Sequence, residues 1–130
     1  MLGGDSVPDG LIAKQISLGF SHSCALKIDN TVECWGKNTY GEGDVPKGLI
    51  AKQIILGGYH ACALKIDNTV ECWGKNTKGQ TLVPKGLIAK QVMVGFYHTC
   101  ALKIDNAVEC WGKKLNGENK ALDGLTAKQL

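Results

Sequence analysis

The segment Gly57-Gly-Tyr-His-Ala-Cys-Ala-Leu-Lys-Ile-Asp-Asn-Thr-Val-Glu-Cys-Trp-Gly74 decides the fold, because closely related segments occupy 19–36 and 95–112 of the 130-residue chain. The histidine, both cysteines and the tryptophan of this segment recur 38 residues apart. A fixed period of roughly 20 to 50 residues is typical of stacked or radial repeat folds. The repeat therefore has to be interpreted before any single motif.

The period divides the chain into units of 38 residues. We predict one repeat domain, with a partial-repeat tail, three full repeats and the start of another at 1–9, 10–47, 48–85, 86–123 and 124–130. The first two full units differ at only eight positions. Such near-identity indicates the duplication of one stable unit.

Each unit is predicted to consist of β-strands. In the first unit, residues 13–18 alternate in polarity, and two further strands at 22–28 and 31–35 flank an Asp-Asn turn. Residues 36–46 are rich in Gly, Asn and Thr and are predicted to form a loop, with a short outer strand near Val45. The expected unit thus has three to four antiparallel strands.

The register of the central hairpin can be chosen from the chemistry of its faces. A two-residue turn would set Leu26 opposite Glu33 and mix apolar with charged side chains. A three-residue loop that ends with Asn30 in the left-handed conformation pairs Leu26 with Val32, and the two cysteines of the unit with each other. We expect this second register, because a half-buried sheet needs one apolar face.

The motifs Gly-x-x-His-x-Cys-Ala-Leu and Asp-Asn-Thr-Val-x-Cys-Trp-Gly-x-Asn resemble the repeats of the regulator of chromosome condensation family, in its short-repeat bacterial and viral branch. The resemblance covers essentially the whole chain. It implies a β-propeller, commonly of seven blades in that family, which includes exchange factors for a small GTPase and a protein inhibitor of β-lactamase. Since three full units cannot make seven blades, we expect an all-β partial β-propeller of about three blades, with open edges that invite pairing.

Composition argues against nucleic-acid and membrane partners. The net charge is +3, and all fifteen basic residues are lysines. Arginine supplies the bidentate fork preferred for phosphate and guanine, so its absence disfavours nucleic acid. No apolar run approaches the roughly 18 to 20 residues of a membrane span. The amino terminus has neither the basic start nor the apolar segment of a signal peptide, and the compartment stays unknown.

The six cysteines form three pairs, each with partners ten residues apart. In the expected register the two members of a pair face each other, which would allow disulfides. The alternative is that all six are small buried apolar residues with reduced thiols, as the missing signal peptide favours. The pairs in question are Cys24–Cys34, Cys62–Cys72 and Cys100–Cys110.

The histidines and tryptophans recur in every unit, which favours structural roles over catalysis. One such role is a histidine side chain that bonds a loop backbone. The closely spaced cysteine knuckles of zinc sites are absent, and no unit carries a unique acid, base or nucleophile. We therefore expect no enzyme activity, no metal and no cofactor. These structural repeat residues are His22, His60, His98, Trp35, Trp73 and Trp111.

Candidate binding residues lie where the near-identical units differ, because the fold does not constrain those positions. They cluster just before each histidine and in the long loop. Loops on a rigid scaffold commonly carry recognition, and aromatic side chains commonly anchor interfaces. The alternative is neutral drift in tolerant loops. The candidates are Phe20, Ser21, Tyr40, Gly58, Tyr59, Lys78, Phe96 and Tyr97.

These observations favour a non-catalytic module that binds another protein, whose identity the sequence does not give. The alternative is a structural propeller fragment that closes a ring by self-association, since two chains would supply six full blades. Guanine-nucleotide exchange is a weaker alternative, implied only by the resemblance.

Overall fold

The computed structural model describes residues 7–77 and 79–112, in which every regular element is a β-strand. No helix in these ranges is long and apolar enough to span a membrane. The nine strands are β1 (Ala13–Leu18), β2 (His22–Lys27), β3 (Val32–Gly36), β4 (Ala51–Leu56), β5 (His60–Lys65), β6 (Val70–Gly74), β7 (Ala89–Val94), β8 (His98–Lys103) and β9 (Val108–Gly112).

The strands form three antiparallel sheets, β1-β2-β3, β4-β5-β6 and β7-β8-β9, which are three blades of a β-propeller. We refer to them as the first, second and third blade. The all-β partial propeller predicted from the sequence is thereby confirmed. Each described blade has three strands: residues 37–50 and the corresponding connection before β7 contain turns but no fourth strand near Val45.

The hairpin register is the one expected from the separation of faces. Leu26 pairs with Val32, the two cysteines pair with each other, and Asn30 has a φ of 71°. The Asn30 N–H donates to the Lys27 carbonyl at 2.9 Å. This bond closes the turn, so β2 ends one residue before Ile28 and β3 begins one residue later than predicted. The other two blades repeat the register.

All six cysteines are paired in three disulfides, and each disulfide joins β-strands of one hairpin. The alternative of six reduced thiols is therefore wrong. The hairpin register places the two cysteines of each pair directly opposite each other. Residues in such positions on neighbouring strands have close Cβ atoms, so the disulfide fits the regular sheet. Each disulfide closes a loop with a sequence separation of ten residues.

The apolar core lies between blades. Cys24 and Leu26 of the first blade pack against Ile54, Leu56 and Trp73 of the second blade. The next interface repeats this arrangement with Cys62, Leu64, Val92 and Trp111. The second sheet therefore buries one face against the first blade and the other face against the third blade.

Burial of β1 differs from that of β4 although the sequences match. Ile16 and Leu18 are 62% and 71% exposed, whereas their counterparts Ile54 and Leu56 are 1% and 8% exposed. The reason is that among the described residues no blade precedes the first. This difference leaves an open apolar face on the first blade.

Candidate protein-binding surface

Five aromatic side chains from four connections of the chain meet on one surface. Tyr59 lies at its centre, with ring centroids 5.5 Å from Phe20, 5.3 Å from Tyr40 and 6.0 Å from Phe96. Tyr97 adjoins Phe96 at 6.3 Å. Most of these rings meet edge to face, a favourable arrangement for the aromatic quadrupole. We call this set the aromatic surface.

A glycine in the second blade makes the aromatic surface continuous. Phe20, Gly58 and Phe96 occupy the same position of the three units. A Cβ atom at Gly58 would lie 2.2 Å from the Phe96 ring, so the missing side chain leaves the room that this ring fills. Phe96 thereby reaches Phe20 across the second blade, with 5.9 Å between ring centroids.

Lys75 lies over three tyrosine rings of the same surface. Its Nζ atom is 4.6 Å from the Tyr40 centroid, 5.1 Å from that of Tyr59 and 5.4 Å from that of Tyr97. Such cation–π contacts contribute about 0.5 to 1 kcal/mol each at exposed sites. The backbone N–H of Lys75 also donates to the Tyr59 carbonyl at 2.9 Å. A positive charge is thus held among the aromatic rings.

Sequence comparison of the units missed Lys75, because Lys37 occupies its position in the first unit and the two appeared equivalent. The available signal was its position, because a lysine directly follows the Trp-Gly pair in every unit. Of the other predicted binding residues, Ser21 has a buried hydroxyl and adds no exposed group to the surface. Lys78 lies outside the described residues.

The aromatic surface is open to solvent. Phe20 is 67% exposed, Phe96 49% and Tyr40 41%. Exposed contiguous apolar patches are uncommon on monomeric proteins and often mark interaction sites. The rings nevertheless hold one another in place, so they present a largely preformed surface.

The repeated histidine and tryptophan bond the neighbouring blade and its connection. The Thr99 hydroxyl donates to the Gln80 carbonyl at 2.8 Å and lies 2.9 Å from His60 Nε2. Because the only hydroxyl hydrogen is used, His60 must donate from Nε2. Trp111 Nε1 donates to the same carbonyl at 2.9 Å. The expectation of a histidine bonding a loop backbone is thus wrong for His60, since the hydroxyl stands between the ring and the carbonyl.

The corresponding group of the first interface lacks one member. His22 is 3% exposed, and neither ring nitrogen has a hydrogen-bond partner among the described residues. Ala61 stands where the third blade has Thr99. The Glu42 carbonyl, in the position of the Gln80 carbonyl, already accepts a bond from Trp73 at 2.9 Å. Burial lowers the pKa of His22, and the nearby Glu42 carboxylate partly counteracts this.

Ala61→Thr is expected to raise the free energy of unfolding by about 1 kcal/mol, because the new hydroxyl would join His22 to the Glu42 carbonyl. Urea unfolding followed by tryptophan fluorescence measures the change. Ala61→Val is the matched control, since valine has the shape of threonine without the hydroxyl. Equal stabilities of the two variants would contradict the prediction.

Comparison with known proteins identifies the repeat. The sequence profile of the Regulator of chromosome condensation (RCC1) repeat matches residues 13–42 and 51–80. A search of curated protein sequences gave no significant match. The described sheets have the architecture of the propellers in that family.

Solved structures share this architecture. The ectodomain of the receptor kinase CR4 from Physcomitrella patens is 37% identical, with a TM-score of 0.69 over 78% of this chain and 29% of that one. The CRINKLY WD40 ectodomain of ACR4 from Arabidopsis thaliana is 27% identical, with a TM-score of 0.68 over 82% and 38%. Prp20p from Saccharomyces cerevisiae is 21% identical, with a TM-score of 0.69 over 85% and 34%. This chain therefore spans about a third of each of these proteins.

Proposed function

The chain belongs to the family of regulator of chromosome condensation repeats, and from that premise we propose that it is a non-catalytic module that binds a protein partner through the aromatic surface. A related propeller binds proteins: Prp20p, the yeast RCC1, has binding properties to Gsp1p and histones and forms a complex with Kap60. The sequence identity of 19% to 21% supports only a shared fold. Our proposal therefore takes over protein binding in general and none of these particular partners.

The convergence of exposed aromatic rings is the observation that carries the proposal. Phe20, Tyr40, Tyr59 and Phe96 come from four different connections of the chain and meet on one open surface. Phenylalanine and tyrosine bury a large area while they lose little conformational entropy, and tyrosine is enriched among the residues that dominate binding energy. Neutral drift in the connections gives no reason for these rings to meet.

Lys75 defines the chemistry of the partner further. Its ammonium group is held by three rings at the centre of an apolar surface. A partner that covers the rings would remove water from this charge, and a buried charge needs an opposite one. The partner segment that we propose therefore combines apolar side chains with a carboxylate.

Phe96→Ala is expected to weaken partner binding at least about tenfold, because the ring joins the two halves of the aromatic surface. A photoreactive phenylalanine analogue at position 96 would first capture the partner covalently. Titration calorimetry with the purified partner then measures the affinities of the wild type and the variant.

Ile104→Ala is the matched control for Phe96→Ala, since Ile104 is 50% exposed against 49% for Phe96 but lies at the hairpin tip of the same blade. We expect this control to bind like the wild type. Equal losses in the two variants, or equal cross-linking from positions 96 and 104, would overturn the proposed surface.

Self-association is the second candidate function, because the first blade leaves an apolar face uncovered. Ile16 and Leu18 are mostly exposed, although the same residues of the second blade are almost fully buried by a neighbour. A further blade of the same repeat would bury them in the same way. Guanine-nucleotide exchange, the weaker alternative, rests on the family resemblance alone.

A further inference from the structure

The two interfaces between blades follow one pattern, in which each blade has a forward face and a backward face. The forward face turns toward the following blade, and the backward face toward the preceding one. From the forward face of the first blade, the Gln15 side chain donates to the Ile54 carbonyl at 2.9 Å and accepts from the Ile54 N–H at 3.2 Å. The Ser17 hydroxyl accepts from the Leu56 N–H at 3.1 Å. These bonds set the register between the first and second blades.

The forward face of the third blade is open. Cys24 and Leu26 are 0% and 1% exposed in the first blade, whereas their counterparts Cys100 and Leu102 are only half-buried. Met93, in the position of Ser17, is 63% exposed. This face therefore has the residues of a forward face and lacks a described neighbour.

The backward face of the first blade is open in the complementary way. Ile16 and Leu18 are exposed, and Trp35 is half-buried whereas Trp73 and Trp111 are both 7% exposed. Ser23 of the first blade occupies the position of Thr99, whose hydroxyl contacts the histidine of the preceding blade. A serine hydroxyl can bond a histidine as Thr99 does, so the open face carries the hydroxyl that the first interface lacks at Ala61.

We propose that the forward face of the third blade of one copy docks on the backward face of the first blade of a second copy, head to tail. This inference rests on self-association, the second candidate function. Gln91 would bond the backbone of Ile16 as Gln15 bonds that of Ile54, and His98 would bond the Ser23 hydroxyl as His60 bonds that of Thr99. Met93 would cover Leu18, and both side chains are exposed in the single chain.

Two such contacts close a symmetric pair. The third blade of each copy then meets the first blade of the other, and the ring of six full blades leaves no open blade face among the described residues. Head-to-tail contacts that do not close form filaments instead. Closure by two copies also covers the exposed apolar faces that make a partial propeller prone to aggregation.

Single substitutions test whether both open faces are used. Leu18→Asp and Met93→Asp each place a charge in one proposed contact, and we expect both variants to sediment as monomers where the wild type sediments as a dimer. Ile66→Asp is the matched control, because Ile66 is 50% exposed at a hairpin tip away from both faces. It should remain dimeric. Circular dichroism melts verify that every variant is folded.

Mixing the two monomeric variants tests the head-to-tail arrangement. Leu18→Asp retains an intact third blade and Met93→Asp an intact first blade, so a mixture should regain a dimer through one intact contact. A dimer that either variant forms alone, or the absence of a dimer in the mixture, would overturn the proposed pairing and leave self-association standing. A monomeric wild type would overturn both. Because only the purified chain is used, these outcomes say nothing against binding at the aromatic surface.

Discussion

Removal of the central disulfide by the double substitution Cys62→Ala and Cys72→Ala is expected to lower the free energy of unfolding by about 3 kcal/mol or more. Closure of a ten-residue loop restricts the unfolded chain by about 2.7 kcal/mol in the chain-entropy description. Cys62 is fully buried in the core between the second and third blades, so truncation also leaves a cavity there. Urea unfolding without reductant measures the loss.

The third blade supplies the matched control for this loss. Cys100 and Cys110 close a loop of the same length, yet both are only half-buried. Their replacement by alanine, in the monomeric Met93→Asp background where this face stays uncovered, should therefore cost the loop contribution with little cavity contribution. Equal losses of unfolding free energy for the Cys62–Cys72 and Cys100–Cys110 pairs would contradict the role assigned to packing. A central pair whose removal costs nothing would contradict the stabilising role itself.

Acidification from pH 7 to below pH 4 is expected to remove about 3 kcal/mol of stability through His60 alone. Burial, with smaller contributions from the neighbouring His98 and His22, lowers the pKa of His60 from 6.5 to about 4. The hydrogen bond to Thr99 fixes the proton on Nε2, and Nδ1 has no partner among the described residues. A second proton would therefore place a buried charge without an acceptor.

The sign follows from the number of protons that each state binds. Between pH 6.5 and about 4 the unfolded chain carries a proton on His60 and the folded chain does not. Stability therefore rises with pH across this window and is fully present above the unfolded pKa. Each unit of difference corresponds to about 1.4 kcal/mol.

His60→Gln isolates this contribution, because glutamine can still donate to Thr99 but does not titrate. Urea unfolding of both proteins across pH 7 to 3.5 gives two profiles. We expect the profile of the variant to be flatter by about 3 kcal/mol in the window of His60, although the variant starts from a lower stability at pH 7. Parallel profiles would show that His60 does not control the acid sensitivity.

The blade itself was predictable because its determinants are local. The 38-residue period marked the repeat, and the need for one apolar face selected the hairpin register. Asn30 tolerates the left-handed conformation that this register requires, and it has a φ of 71°. The prediction of a fourth strand near Val45 was wrong, because the surrounding Gly, Asn and Asp residues favour turns over a strand. The oxidation state of the cysteines needed the structure.

The candidate site was predictable only in part. Differences between units pointed to Phe20, Tyr59 and Phe96, because such positions escape the constraints of the repeated fold. The same comparison concealed Lys75, whose identity is shared with the first unit. It also could not show that Gly58 contributes by having no side chain, since that depends on a ring from the next blade.

By itself, the sequence determined the unit: its period, its strands, its hairpin register and the facing cysteines, all of which join residues close along the chain. Only the tertiary structure decided which faces meet, which rings cluster and which histidine finds a hydroxyl. Those contacts join residues of different units, as His60 and Thr99 are separated by 39 positions. They depend on the angle and spacing between blades, which the alternation of residues within a strand does not encode.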